Sequence, residues 1–139
     1  MGIEEFDKFI LENFGGIVKD NPWEKEPNFT VFRHADNQKW IALRFCATKE
    51  QLSKLGDDEI LRGYADGEQI DIVNVKVEPE MIGDIVKLPG FLPAFHMNRQ
   101  HWVTILLDAE VDAEKTKALV DISYNLTAKK IHKQNEIES

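Results

Sequence analysis

Two histidines, His96 and His101, flank a short polar stretch, residues 97–100, that has the composition of a hairpin loop. If those four residues form the loop, the histidines are its closing pair, with Cβ atoms about 5 Å apart on one face. Such a pair could bind a metal ion or catalyse a reaction of a small molecule. A structural zinc site needs four ligands and a catalytic one usually three. Since no further ligand lies at a metal-binding spacing, we predict no metal and no cofactor, and histidines held by backbone carbonyls.

The other reactive side chains give weaker signals. Cys46 is the only cysteine, and it stands at the end of an alternating strand, which favours a structural thiol over a nucleophile. The acidic run at residues 57–59 is typical of a solvated loop. No glycine pattern fits a phosphate-binding loop. We therefore predict no catalytic residue and a protein that is not an enzyme.

Aromatic and cationic residues recur at alternating positions of the predicted strands, a pattern that can form a binding surface. Aromatic rings can stack on bases, and cations can contact phosphates. Residues 87–107 contain no acidic residue, so this region is expected to be locally positive. The same side chains would also suit a dimer interface or packing beneath the chain's own loops. Strand alternation predicts that one side of the sheet carries Trp40, Arg44, Lys76, Phe95 and Trp102.

The elements that position these residues follow from hydrophobic periodicity and turn residues. An amphipathic helix is expected from Ile3 to Phe14, before two glycines, and a closing helix is expected after the capping residue Asp112. A short helix is expected to begin at Pro79. The remaining expectations are strands at 29–34, 40–46, 70–77 and the second half of 91–108, and one or two helical turns within 48–61.

Length and charge restrict the class of protein. The 139 residues, 42% hydrophobic and 30% charged, fit one domain spanning residues 1–139 with a frayed tail at 134–139. The net charge of −8 opposes non-specific coating of nucleic acid. Neither a leader peptide nor an apolar run of about 20 residues is present, so we expect a cytoplasmic protein that does not contact membranes.

One segment carries a family resemblance. The run Ala94-Phe-His-Met-Asn-Arg-Gln-His-Trp102 resembles the MmcQ/YjbR family of small, mostly bacterial proteins. The chain departs from the family pattern in having Asp36-Asn37 where glycines are usual and Gln100 where a second basic residue is common. Supporting matches are Asn74-Val-Lys76, Glu78-Pro79-Glu80, Ser123-Tyr124-Asn125-Leu126, Pro22-Trp23 and Thr30-Val-Phe32.

The resemblance implies an α+β domain of two layers, with an antiparallel sheet and helices packed on one face, similar to CyaY-like and secretion-chaperone-like folds. It also implies a non-enzymatic module with nucleic acid, DNA in particular, as its partner. The expected binding residues are Lys76, Phe95, His96, Asn98, Arg99, His101 and Trp102.

Two alternatives remain open. The first is a protein-interaction or chaperone-like adaptor that uses an open sheet face for a homodimer or an extended peptide. The second is a small-molecule enzyme that uses His96 and His101.

Overall fold

A six-stranded sheet forms the centre of the protein, in the order β1-β2-β3-β4-β6-β5 with every neighbouring pair antiparallel. The computed structural model describes residues 1–23 and 28–129, so the predicted tail at 134–139 lies outside the described residues. Four strands, β2, β3, β4 and β6, match the predicted ones; β5 lies in the first half of the segment 91–108, for which only the second half was predicted as a strand, and β1 was not predicted. The strands are β1 (Ile17–Asp20), β2 (Thr30–His34), β3 (Trp40–Thr48), β4 (Gln69–Lys76), β5 (Phe91–Pro93) and β6 (Trp102–Leu106).

The helices form where the sequence provides caps and apolar periodicity. The carboxylate of Asp112 accepts hydrogen bonds from the amides of Glu114 and Lys115, which confirms the predicted start of the closing helix. Thr48 and Gln51 form a reciprocal capping box at the short helix after β3. Among the described residues, no helix is long and apolar enough to cross a bilayer. The helices are α1 (Ile3–Asn13), α2 (Lys49–Ser53), α3 (Ile82–Ile85) and α4 (Ala113–Thr127).

The two long helices cover one face of the sheet. On α1, the ring of Phe6 packs edge-on against Phe32 of β2 at 5.9 Å between centroids. On α4, the Ser123 hydroxyl donates to the carbonyl of Ile41 at 2.5 Å and accepts from the amide of Lys76 at 2.9 Å. This arrangement confirms the predicted α+β fold with helices packed on one face of an antiparallel sheet.

The opposite face is covered as well, by short segments instead of long helices. Leu43, Phe45, Ile72 and Leu106 are each at most 4% exposed. At one end of this face the segment after α2 approaches β5, since a Cβ placed on Gly56 would lie 4.0 Å from the side chain of Leu92. The open sheet face expected for an adaptor is therefore not found in the described chain, because these segments bury the strand side chains that would have formed it.

Candidate functional site

The connection between β5 and β6 differs from the predicted tight hairpin. The two strands pair only as far as Pro93 and Val103, and residues 94–101 form a longer loop, called here the 94–101 loop. The predicted closing pair of His96 and His101 is wrong, since neither residue belongs to the ladder. The ladder ends early because side chains of β4 and β6 bind the backbone of Phe95.

Three hydrogen bonds form a closed ring that anchors the 94–101 loop to the sheet. The amide of Phe95 donates to the Thr104 hydroxyl at 2.8 Å, and that hydroxyl donates to Oδ1 of Asn74 at 2.5 Å. The side-chain amide of Asn74 then donates to the carbonyl of Phe95 at 2.8 Å. Asn74 and Thr104 are fully buried. Both backbone groups of Phe95 are thus satisfied by side chains, which fixes the start of the loop.

The two histidines lie in the loop as exposed side chains. His96 adopts a left-handed backbone conformation, with φ +61°, and its ring packs on Phe95 at 3.8 Å between centroids. The backbone carbonyl of His101 accepts from the amide of Val77 at 2.9 Å. Neither imidazole forms a hydrogen bond with a described residue, so the predicted carbonyl partners are wrong. The described residues also contain no cluster of three or more side chains suited to a metal ion.

The tip of the loop is organised by Asn98. Its backbone carbonyl accepts from the amides of His101 and Trp102, and its side-chain oxygen accepts from the amide of Gln100 at 2.8 Å. Arg99 is exposed at this tip, and its Nε donates to the carbonyl of Ala94 at 3.3 Å. The two terminal nitrogens of the guanidinium form no hydrogen bond with a described residue.

Lys76 completes the site from the neighbouring strand. It is the register partner of Trp102 in the β4–β6 ladder, and both side chains are partly exposed. Neither Lys76 nor Arg99 forms an ion pair with a described residue. The structure therefore brings the predicted binding residues together at one end of the β4–β6 pair. They are Lys76, Phe95, His96, Asn98, Arg99, His101 and Trp102.

Arg44 does not belong to this surface, which corrects the predicted face. Its register partner is Val73, on the face covered by α1, and its guanidinium forms two hydrogen bonds of 2.8 Å with the carboxylate of Asp7. Lys19 also contacts that carboxylate, at 3.0 Å. Strand alternation could not reveal this pairing, because the carboxylate comes from a helix distant in sequence.

An aromatic row, which sequence reasoning did not assemble, runs onto the site. Four of its members were not among the predicted binding residues, although Trp40 was assigned to the predicted aromatic side of the sheet and Pro22-Trp23 matches the family pattern. These four are Trp40, Trp23, Phe29 and Phe45. Successive ring centroids are 5.9, 5.2, 4.8, 5.9 and 3.8 Å apart. The row consists of Trp40, Trp23, Phe29, Phe45, Phe95 and His96.

Cys46 has a structural environment. Its thiol donates to the carboxylate of Asp71 at 3.0 Å. Burial, together with that carboxylate, raises the pKa of Cys46 to about 11. A thiol with this pKa is protonated at neutral pH, which fits the predicted structural thiol better than a nucleophile.

Comparisons with known proteins agree on the family. The YjbR family model matches residues 13–126. The uncharacterized Bacillus subtilis protein YyaQ is 32% identical over 124 residues, which cover 89% of this chain and 96% of YyaQ. A Pseudomonas syringae protein is 34% identical. Its crystal structure gives a TM-score of 0.79 over 92% of this chain and all of that chain, and its solution NMR structure gives 0.76 over 95% and 97%.

A more distant structure supports the fold alone. The Deinococcus radiodurans protein DR2400, which carries the family-model domain DUF419, is 21% identical, with a TM-score of 0.66 over 99% of this chain and 88% of that chain. The family match, the YyaQ similarity and the shared fold together confirm the resemblance read from the 94–102 segment. The chain belongs to the YjbR family.

Proposed function

We propose that this chain is a non-enzymatic nucleic-acid-binding module whose contact surface is the 94–101 loop together with Lys76 and Trp102. One observation carries the proposal. Two permanent cations, Lys76 and Arg99, have no carboxylate partner among the described residues and lie beside partly exposed aromatic rings. Unpaired cations next to aromatic rings are the combination that contacts phosphates and stacks on bases.

Each residue of the surface has a separate role in this proposal. Arg99 and Lys76 contact phosphate oxygens, and Trp102 offers a plane for one base. Asn98 holds the tip of the loop through its backbone and side-chain oxygens. Phe95 supports His96, since their rings are in contact at 3.8 Å between centroids, tilted by 40°. The hydrogen-bond ring of Asn74, Thr104 and Phe95 keeps these groups in place before a ligand arrives.

The charge distribution limits the strength of this binding. The whole chain carries −8, and Glu78 and Glu80 are exposed close to the site. Long-range attraction of nucleic acid is therefore weak, and binding depends on contacts at the loop. Two phosphate contacts predict a slope of about −1.5 for the logarithm of the association constant against the logarithm of salt concentration.

The test measures fluorescence anisotropy of labelled 12-nucleotide single strands and duplexes, of DNA and RNA, over a salt series. Arg99→Ala and Lys76→Ala are each expected to weaken binding and to reduce the magnitude of the salt slope by about 0.7–0.9. Arg62→Ala is the control, because it removes the same charge from an exposed ion pair with Asp57 elsewhere on the surface. An absence of affinity for every nucleic acid at the lowest salt concentration would contradict the proposal.

A homodimer or a protein partner stays a prediction from the sequence, which light scattering can test. With both sheet faces covered, a protein partner would have to use the 94–101 loop or the outer surfaces of the helices.

A further inference from the structure

We infer that the nucleic acid taken by this surface is single-stranded and that the aromatic row is its base-stacking platform. This inference rests on the proposed function and adds to it the class of nucleic acid and the path of the strand. The row starts at His96, inside the 94–101 loop, and continues to Trp23 and Trp40 beyond the predicted site.

The row combines a buried support with accessible rings. Phe45 is 2% exposed, and the rings of Phe29 and Phe95 lie nearly parallel to it, at 11° and 19°. Trp23 is 42% exposed and meets both Phe29 and Trp40 edge to face. Buried packing therefore fixes the orientation of the row, while its outer members remain available to a ligand.

The backbone at His96 strengthens the case for a functional platform. A left-handed conformation is uncommon for a residue other than glycine and marks local strain. Here the conformation, at φ +61°, lays an exposed imidazole against Phe95 instead of releasing it into solvent. The hydrogen bonds from Asn74 and Thr104 to Phe95 hold the preceding residue and so maintain this arrangement.

The positive charge beside the aromatic row favours a single-stranded nucleic acid as its ligand. No acidic residue occurs between Lys87 and Leu107, and Arg99 and Lys76 border the row at its His96 end. Stacking on aromatic rings needs an unpaired base with a free face, and a single strand supplies it. A strand that stacks along the row has its phosphates within reach of these two cations at one end.

A duplex fits this surface poorly. Duplex binding depends on many phosphate contacts, and the site offers two permanent cations on a chain of charge −8. The long helices that could enter a major groove pack on the other face, and the outer side of α1 carries Glu4, Glu5 and Glu12. In a duplex, each base is also stacked between its neighbours, so its faces are not free to stack on a protein side chain. Because Phe45 is buried between Phe29 and Phe95, bases stack on the accessible rings on either side of it, at His96 and at Trp23 and Trp40. This arrangement predicts a site of about four nucleotides, at the small end of known single-strand sites.

The experiment compares binding of dT12, rU12 and the dA12·dT12 duplex by anisotropy, and follows the tryptophan fluorescence of the protein. The chain has three tryptophans, Trp23, Trp40 and Trp102, and all three belong to the row or the loop site. Stacking should therefore quench the intrinsic fluorescence. We expect at least tenfold tighter binding of one or both single strands than of the duplex, and the dT12 and rU12 arms show which sugar is preferred.

Trp23→Ala is the decisive variant, with an expected loss of about five- to tenfold in single-strand affinity. Trp23→Phe retains a ring and should restore most of it. Leu11→Ala is the matched control, because Leu11 on α1 is also 42% exposed and apolar and should leave affinity unchanged. Circular dichroism of each variant verifies that the fold is retained.

The outcomes separate this inference from the proposed function. Equal binding of duplex and single strands, with Trp23→Ala unchanged and Arg99→Ala weakened, would overturn the stacking platform and leave the nucleic-acid module in place. An absence of binding to all three oligonucleotides at low salt would overturn both. Binding of an extended proline-rich peptide to the row, without any oligonucleotide binding, would also overturn both.

Discussion

The hydroxyl of Thr104 donates a 2.5 Å hydrogen bond to Asn74, and these two fully buried side chains together hold the backbone of Phe95. A buried polar group that loses its partner retains its desolvation cost. Asn74→Ala is therefore expected to lower the free energy of unfolding by about 2–3 kcal/mol. Urea denaturation measures the change, and hydrogen exchange should show faster exchange at the Phe95 amide.

The matched variants make this prediction specific. Thr104→Val preserves shape and should cost about 1–3 kcal/mol, and the double variant should cost less than the sum of the single ones. Asn125→Ala removes an exposed amide from α4 and should change stability by less than about 0.5 kcal/mol. Additive single costs would show that the three hydrogen bonds do not act as a unit.

The ion pair between Asp7 and Arg44 should be far more sensitive than the surface pair between Asp57 and Arg62. Asp7→Ala leaves a guanidinium buried without its carboxylate and is expected to cost about 3–5 kcal/mol. Asp57→Ala breaks a pair whose side chains are 63% and 77% exposed, and should cost less than about 1 kcal/mol. Thermal or urea unfolding of the two variants provides the comparison. Similar losses in both would contradict the structural role assigned to Arg44.

Cys46 should react slowly with thiol reagents while the protein is folded. Its pKa of about 11, against 9.0 for an ordinary thiol, predicts a roughly 100-fold smaller thiolate fraction at pH 8 than in the unfolded chain. The pH profile of the reaction with a disulfide reagent should therefore rise near pH 11 in the folded protein and near pH 9 in urea. Asp71→Asn should shift the folded profile to lower pH, because the carboxylate contributes to the raised pKa.

The same pKa gives the sign of a stability effect. Because folding raises the pKa of Cys46, the protonated thiol favours the folded state fully below pH 9, and this contribution is lost as the pH rises towards 11. Cys46→Ser should reduce the alkaline loss of stability over that window. Identical pH profiles for the two proteins between pH 9 and 11 would contradict the prediction.

Ser123 should matter both for stability and for the position of Lys76. The β3–β4 ladder ends at the pair of Ala42 and Val75. Beyond that pair, the Ser123 hydroxyl binds the carbonyl of Ile41 and the amide of Lys76, which would otherwise face each other without partners. Ser123→Ala leaves the Lys76 amide and the Ile41 carbonyl without partners, at a cost of about 2–3 kcal/mol. Ser53→Ala, at an exposed hydroxyl of α2, should have little effect. Unfolding measurements and exchange of the Lys76 amide test the difference.

The parts of the fold that the sequence predicted correctly are those with local signals. The apolar periodicity before the paired glycines located α1 to within a residue, and the Asp112 cap located the first residue of α4. Strand β1 was not predicted, since Ile17–Asp20 is too short for a clear alternation.

The site was predicted in composition and not in geometry. The alternation of β3 indicated which residues share a face, but it could not show that both faces are covered or that Asp7 binds Arg44. The hairpin between His96 and His101 required the β5–β6 ladder to continue past Pro93. The ladder ends there because the side-chain amide of Asn74, on another strand, donates to the carbonyl of Phe95. A contact between residues so distant in sequence cannot be predicted from a local sequence pattern.

The outermost strands restrict how the sheet can grow. β1 spans four residues and ends in Lys19 and Asp20, and β5 spans three and ends in Pro93, which has no amide hydrogen to donate. A strand from another chain would find only a short, interrupted row of free backbone groups on either side. Within the part of the chain that the structure describes, the addition of a strand from another molecule at either edge of the sheet is therefore disfavoured, and side-chain contacts offer the better basis for an association.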